Sequence, residues 1–279
     1  MRDALHARGL KVMLDLVPAH TSDRHPWFTE SSSSRDNPKA DWYVWADPRP
    51  DGTPPNNWLS HFGGPAWRWT PSRAQYVLHH FAPQQPNLNY RCPAVQEALL
   101  GVARAWLRRG ADGFRVDALH TLYCDAALAD NPARPPGDPV RASPLARANP
   151  FHLQRHERQF NRHADALPLL RRLRAAADER PGRLLLCEVN GMAASRAYTA
   201  GGGAMHASYN FDLLFPGPPT PQRLAALLDS AGDMLRRAAL VRPAVTRSFP
   251  RDRVRSFPRG APRGRAEFSR RAEFARHGS

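Results

Sequence analysis

The chain has 279 residues, 42% of them hydrophobic, and a formal net charge of +15. That length suits one large α/β domain or a barrel with an insertion, and no run of about 18 apolar residues is present to span a membrane. The charge does not point to nucleic acid, because residues 235–279 carry thirteen Arg against three acids, a net of +10 that leaves the rest of the chain mildly basic.

Lys11 and Lys39 are the only lysines among the 40 basic residues, a usage that follows base composition rather than phosphate binding. The three cysteines, Cys92, Cys124 and Cys187, are odd in number and widely spaced. They suggest neither a disulfide framework nor a zinc site, so a reducing, cytoplasmic location is expected. Met1-Arg2-Asp3-Ala4-Leu5 runs directly into a polar helix pattern, so no signal peptide is expected.

Residues 2–8 read as a helix stopped by Gly9. Leu10 to Val17 reads as a buried parallel strand interrupted by Asp15. Residues 21–90 hold six of the seven Trp with many Pro, Gly, Asn and Asp. They are too long for a plain connection and read as an inserted irregular subdomain. Pro93 opens a helix with an expected inner face of Val95, Leu99, Val102, Ala103 and Trp106, ending at Gly110. Gly113 to Asp117 is the next strand. A Pro-rich loop over 131–150 leads to a helical pattern over 153–179 that Pro168 is expected to break or kink. Leu184 to Val189 is a third strand, 205–214 a candidate fourth, and Pro221 opens one more helix. Strands alternating with helices predict an α/β fold with a parallel sheet or β/α barrel. From about Arg236 the chain is Arg-rich and aperiodic, and is expected to be disordered or read out of frame.

Asp117 and Glu188 each close an apolar strand, where a charge is costly unless it faces a cleft or a partner. In a β/α barrel, the ends of the strands carry the catalytic groups, and Asp15, His20, Arg115, Asp117 and Glu188 all fall there. Retaining glycoside hydrolysis uses two carboxylates about 5–5.5 Å apart, one as nucleophile and one as acid. Arg115, two residues before Asp117, shares its strand face and would keep it ionised. Glu188 is expected in a more apolar setting that retains its proton. Taken singly, an Arg-x-Asp reads equally as an internal ion pair, a strand-end Glu as a cap, and His20 as structural. Their order along the chain favours a site.

That order resembles the α-amylase superfamily, glycoside hydrolase family 13. Asp15-Leu16-Val17-Pro18-Ala19-His20 is similar to its first conserved region, on barrel strand three. Gly113-Phe114-Arg115-Val116-Asp117-Ala118-Leu119-His120 is similar to the second, on strand four. Leu186-Cys187-Glu188-Val189-Asn190 is similar to the third, on strand five. Gln85-Pro86-Asn87-Leu88-Asn89 matches a motif near the end of the family's inserted domain B. His20 to Phe28, Asp41-Trp42-Tyr43-Val44-Trp45 and Ser208 to Leu214 are similar to bacterial oligo-1,6-glucosidases and α-glucosidases.

The resemblance implies a partial (β/α)₈ TIM barrel from residues 1–20 and 91–234, with 21–90 as domain B and 235–279 as the tail. It implies Asp117 as nucleophile, Glu188 as general acid/base, His20 and Arg115 as sugar-binding groups, and Asp15 as their support. The insert's aromatics form a mini-core or, alternatively, line a sugar pocket. The implied reaction is retaining hydrolysis of terminal α-glucosidic bonds in short oligosaccharides. A transglycosylating relative of the isomaltulose or trehalose synthase type, or a non-catalytic binding protein on the same fold, is the alternative. No cofactor is expected, and no calcium, since Ala19 stands where many amylases have a ligating Asn. Small oligosaccharides are the expected partners, with no nucleic acid or membrane. Counterparts of strands one, two and eight, of the C-terminal β-domain and of a strand-seven Asn-His-Asp motif are not found. The chain is therefore expected to be an internal portion of such an enzyme, with very low activity.

Overall fold

A computed structural model describes residues 2–160, 163–189, 192–199 and 203–209, with positions 220–222, 225 and 229. The helix expected at Pro221 falls mostly outside these residues, and the Arg-rich tail and residues 210–214 fall wholly outside them.

The chain begins with α1 (Arg2–His6), turns at Gly9 and enters β1 (Met13–Leu16). An insert follows, with α2 (Pro26–Ser31), β2 (Trp45–Ala46), β3 (Trp67–Thr70) and β4 (Gln75–Leu78). α3 (Pro93–Arg108) then leads to β5 (Gly113–Val116). The short α4 (Pro144–Ala148) lies in the Pro-rich loop, and α5 (His163–Asp178) leads to β6 (Leu184–Cys187). α6 (Met192–Thr199) precedes β7 (Ala207–Ser208).

Strands β1, β5, β6 and β7 form one parallel sheet in that order. This is the helix-alternated parallel sheet of a partial (β/α)₈ barrel; the described residues do not close it. Phe114, Val116, Leu185 and Cys187 are buried in the main core together with the inner faces of α3 and α5.

The three strands of the insert form an antiparallel sheet in the order β2-β4-β3. Trp58 and Trp67 stack at 5.9 Å inside a small core with Ala46, Ala66 and Leu78. Trp27, Trp42 and Trp45 pack against the main core instead. The mini-core reading of the insert's aromatics therefore holds for Trp58 and Trp67.

Three expectations need correction. β1 is an edge strand among the described residues with only Leu16 buried, because β5 covers one side alone. α3 buries Leu100 and Leu107 with Val95, Leu99 and Ala103, while Val102 and Trp106 face outward. The buried stripe is rotated, and Trp106 lies under the Arg109 guanidinium, a surface arrangement that suits an amphipathic ring. α5 starts at His163 rather than 153 and continues through Pro168. Residues 150–160 do not join it because the insert recruits them: Phe151 and Phe160 pack on His61.

That recruitment is a clasp of side-chain amides, two of them, Asn131 and Gln159, buried. Asn57 Nδ2 donates to Asn131 O at 2.9 Å, and Asn131 N donates back to Asn57 Oδ1 at 2.8 Å. Gln159 Nε2 donates to Leu59 O, Asn149 Nδ2 to His61 O, and Trp58 Nε1 to Ala129 O, each at 2.9 Å. Fully buried Gln159 and nearly buried Asn131 satisfy the requirement that interior amides find partners.

Candidate active site

Strand register builds the site. Asp15 lies beside Arg115, and Arg115 beside Leu186, on adjacent parallel strands. Asp117 N donates to Leu16 O and Glu188 N to Val116 O, each at 2.9 Å, which carries the ladder one residue past the strand ends. Ala118 then adopts φ of +43°, a left-handed conformation that costs a non-glycine residue about 1 kcal/mol or more. It turns the chain sharply, and Leu119 N is caught by Glu188 O at 3.1 Å. Both carboxylates are thus fixed at the mouth of the sheet.

Arg115 binds all three acids. Nη1 donates to Asp15 Oδ1 at 2.8 Å and to Asp117 Oδ1 at 2.5 Å, and Nη2 meets Glu188 Oε2. The Arg115 side chain is 26% exposed, that of Asp117 19%, Glu188 22% and Asp15 55%. Burial weakens the Arg115 charge, but the hydrogen bonds and charges of Asp15 and Asp117 outweigh it and hold Arg115 above its ordinary range. Cys187 and Val189 beside Glu188 are buried, but its carboxylate meets a guanidinium. The expectation of an apolar setting is therefore met along the strand and not at the carboxylate.

His20 stands on the loop after β1. Burial lowers its pKa, and the Asp117 charge opposes this. Its ring meets Phe81 edge-on at 5.4 Å, and Nε2 lies 2.8 Å from Gln85 Nε2. The segment carrying Gln85 is zipped to the loop of His20: Leu88 N donates to Ala19 O at 3.0 Å, and His20 bridges Asn87. All five expected residues, Asp15, His20, Arg115, Asp117 and Glu188, therefore belong to one neighbourhood.

The sequence reading missed the layer behind it. His61 lies between Phe81 at 5.1 Å, Phe151 at 4.4 Å and Phe160 at 4.9 Å. His80 and His120 meet Phe160 at 4.8 and 5.6 Å. Burial, then the neighbouring histidines, drives His61 down to about 3, and burial drives His120 to about 4, so both are neutral near pH 7. The sequence signals were His79-His80 set between apolar Val77-Leu78 and Phe81-Ala82, and His120 at the end of the Gly113–His120 motif. Among the described residues no three His, Cys, Asp or Glu side chains converge as a metal requires, and no helix is long and apolar enough to cross a membrane.

Residues 1–222 match the family described as alpha amylase, catalytic domain. The chain is 52% identical over 227 residues to a probable alpha-glucosidase of Rhizobium meliloti, covering 80% of this chain and 41% of that one. It is 48% identical over 120 residues to an oligo-1,6-glucosidase of Heyndrickxia coagulans, covering 43% and 22%. Among solved structures it is similar to an alpha-glucosyl transfer enzyme, XgtA, with TM-score 0.74 and 46% identity over 83% of this chain and 42% of that one. The trehalulose synthase MutB of Pseudomonas mesoacidophila MX-45 is similar at TM-score 0.66 and 27% identity, covering 83% and 41%. The chain thus spans 41% of the length of the Rhizobium relative and less of the other curated relative named.

Proposed function

The chain belongs to the α-amylase catalytic-domain family, and on that premise we propose that its site serves retaining hydrolysis of terminal α-glucosidic bonds in short oligosaccharides. The observation that carries this reading is the pair Asp117 and Glu188 at the ends of consecutive parallel strands, joined through Arg115. Support comes from the 52% identity to a probable alpha-glucosidase.

In this reading Asp117 attacks the anomeric carbon while Glu188 gives its proton to the leaving oxygen. Glu188 then takes a proton from water, which releases the sugar with retained configuration. Arg115 holds Asp117 in line, and Asp15 holds Arg115 from the other side. The contact between Arg115 and Glu188 has to open as the sugar enters, so that Glu188 can address the glycosidic oxygen. His20 contributes a hydrogen-bonding group to the bound sugar. Residues 1–20 and 91–234 supply the barrel and 21–90 a domain B whose last segment carries Gln85. The cysteine pattern favours a cytoplasmic location.

A second reading has support in the similarity to an alpha-glucosyl transfer enzyme at 46% identity. There the glucosyl group passes from Asp117 to a sugar hydroxyl instead of water. The test is assay of the chain at high concentration on 4-nitrophenyl α-glucoside and isomaltose, against Asp117→Asn and Glu188→Gln. The parent chain is expected to turn over only slowly and both variants to remove most of that turnover, with Glu188→Gln less impaired on the nitrophenyl substrate, whose leaving group needs little protonation. Glucose as sole product supports hydrolysis, and new disaccharides on adding acceptor sugar support transfer. Asp117→Asn as active as the parent chain would sink both readings.

A further inference from the structure

We propose that Gln85 is a positioning residue that fixes the tautomer of His20, so that Nε2 accepts from Gln85 and the ring proton stays on Nδ1. This rests on the glucosidase reading only for what the ring then meets.

The orientation of the Gln85 amide is set by chemistry. Ala82 N, which can only donate, lies 2.9 Å from Gln85 Oε1. The oxygen end therefore faces Ala82, and the NH₂ end faces His20 Nε2 at 2.8 Å. An amide NH₂ only donates, and a neutral imidazole carries one N–H and one acceptor nitrogen. Nε2 must accept, and the proton belongs to Nδ1. The opposite tautomer would set N–H against N–H, and the imidazolium would do the same.

The frame around this contact is rigid. Gln85 N donates to Ala82 O at 2.8 Å, so residues 82–85 close on themselves through backbone and side chain. Thr21 N reaches Pro86 O at 3.4 Å, and Leu88 N reaches Ala19 O, which ties the Gln85 segment to the loop bearing His20. Phe81 fixes the ring's plane from its edge.

His20 Nδ1 is buried and has no hydrogen-bond partner among the described residues. Such a donor is rare in folded proteins and asks for a reason. In the glucosidase reading, an oxygen of the bound sugar takes this N–H once the side chains that cover it shift. Among the described residues, the titratable groups acting on His20 are Asp117 and His80.

The test is heteronuclear NMR of the full chain with nitrogen-labelled histidine, the His20 signals being assigned by their loss in His20→Phe. In the parent chain near neutral pH, Nδ1 is expected to carry the proton and Nε2 to be bare. The informative variant is Gln85→Glu, which keeps an oxygen for Ala82 N and turns a donor into an acceptor. In Gln85→Glu the proton is expected on Nε2, and the titration midpoint of His20 is expected to rise by about 1 pH unit or more. A parent chain protonated on Nε2, or a variant spectrum unchanged from the parent, overturns the proposal. If the variant fails to fold, the parent tautomer alone decides. A chain that shows the Nδ1 proton and the switch but transfers no glucosyl group fails the glucosidase reading and leaves this one standing. A chain that hydrolyses α-glucosides with the proton on Nε2 does the reverse.

Discussion

Asp117 and Glu188 meet at a single guanidinium: Arg115 reaches Asp117 through Nη1 and Glu188 through Nη2, with Asp15 as a third acid on Nη1. A planar fork with two N–H donor ends can span two carboxylates on neighbouring strands, whereas an ammonium offers one compact point of charge.

Arg115→Lys should therefore release one carboxylate. A loss of about 10²-fold in kcat/KM is expected, equivalent to about 2.7 kcal/mol, together with about 1–3 kcal/mol of stability. Arg115→Ala should cost more, because three acids then face one another uncompensated. Its deficit in Tm should shrink as pH falls through the carboxylate range, since protonation removes the repulsion. Steady-state kinetics and thermal melts across pH check both. A deficit in Arg115→Ala that grows on acidification would count against the clasp.

Acid sensitivity should come from the histidine layer. The folded pKa values of His61, about 3, and His120, about 4, lie below the ordinary 6.5. The unfolded chain thus binds protons first, and stability falls as pH drops below 6.5 until the folded values are reached. Each such group removes roughly 1.4 kcal/mol per pH unit in that window. Thermal melts should show a steep loss of Tm between pH 6.5 and about 4. His61→Phe with His120→Phe, which keeps the aromatic packing, should flatten that slope. An unchanged slope would move the acid sensitivity to other groups.

Gly113→Ala should be severe for a reason unrelated to catalysis. A Cβ on Gly113 would collide with the Leu184 backbone carbonyl, and neither strand can yield without breaking the β5–β6 ladder. A loss of about 1–3 kcal/mol or more is expected from denaturant melts. Because this ladder aligns Arg115 with Glu188, activity should fall with it.

The alternating pattern and the ends of the strands were legible from residues alone. Asp117 follows Arg115 by two, so their shared face is a local property of the strand. Glu188 ends a short apolar run whose length and position between helical patterns suit a strand. The joining of Asp15 to Arg115 depends on register between β1 and β5, which no local pattern states. The rotated face of α3 was lost because Trp106 and Val102 are apolar yet lie outside. The late start of α5 was lost because Phe151 and Phe160 answer to His61, some 90 to 100 residues earlier in the chain. The histidine layer was missed for the same reason: it draws on segments around 61, 80, 120 and 151–160 that only the fold unites.

The amide clasp also governs the order of assembly. Trp58 meets Ala129 across 71 residues, and Leu59 meets Gln159 across 100. Closing such loops costs entropy before any bond repays it, whereas hairpin β3–β4 and the turns of α3 form from neighbours. The local elements therefore come first, and the wall backing His61 and His80 closes late. During refolding, burial of Trp58 is therefore expected to follow helix formation, which tryptophan fluorescence against far-UV circular dichroism would show.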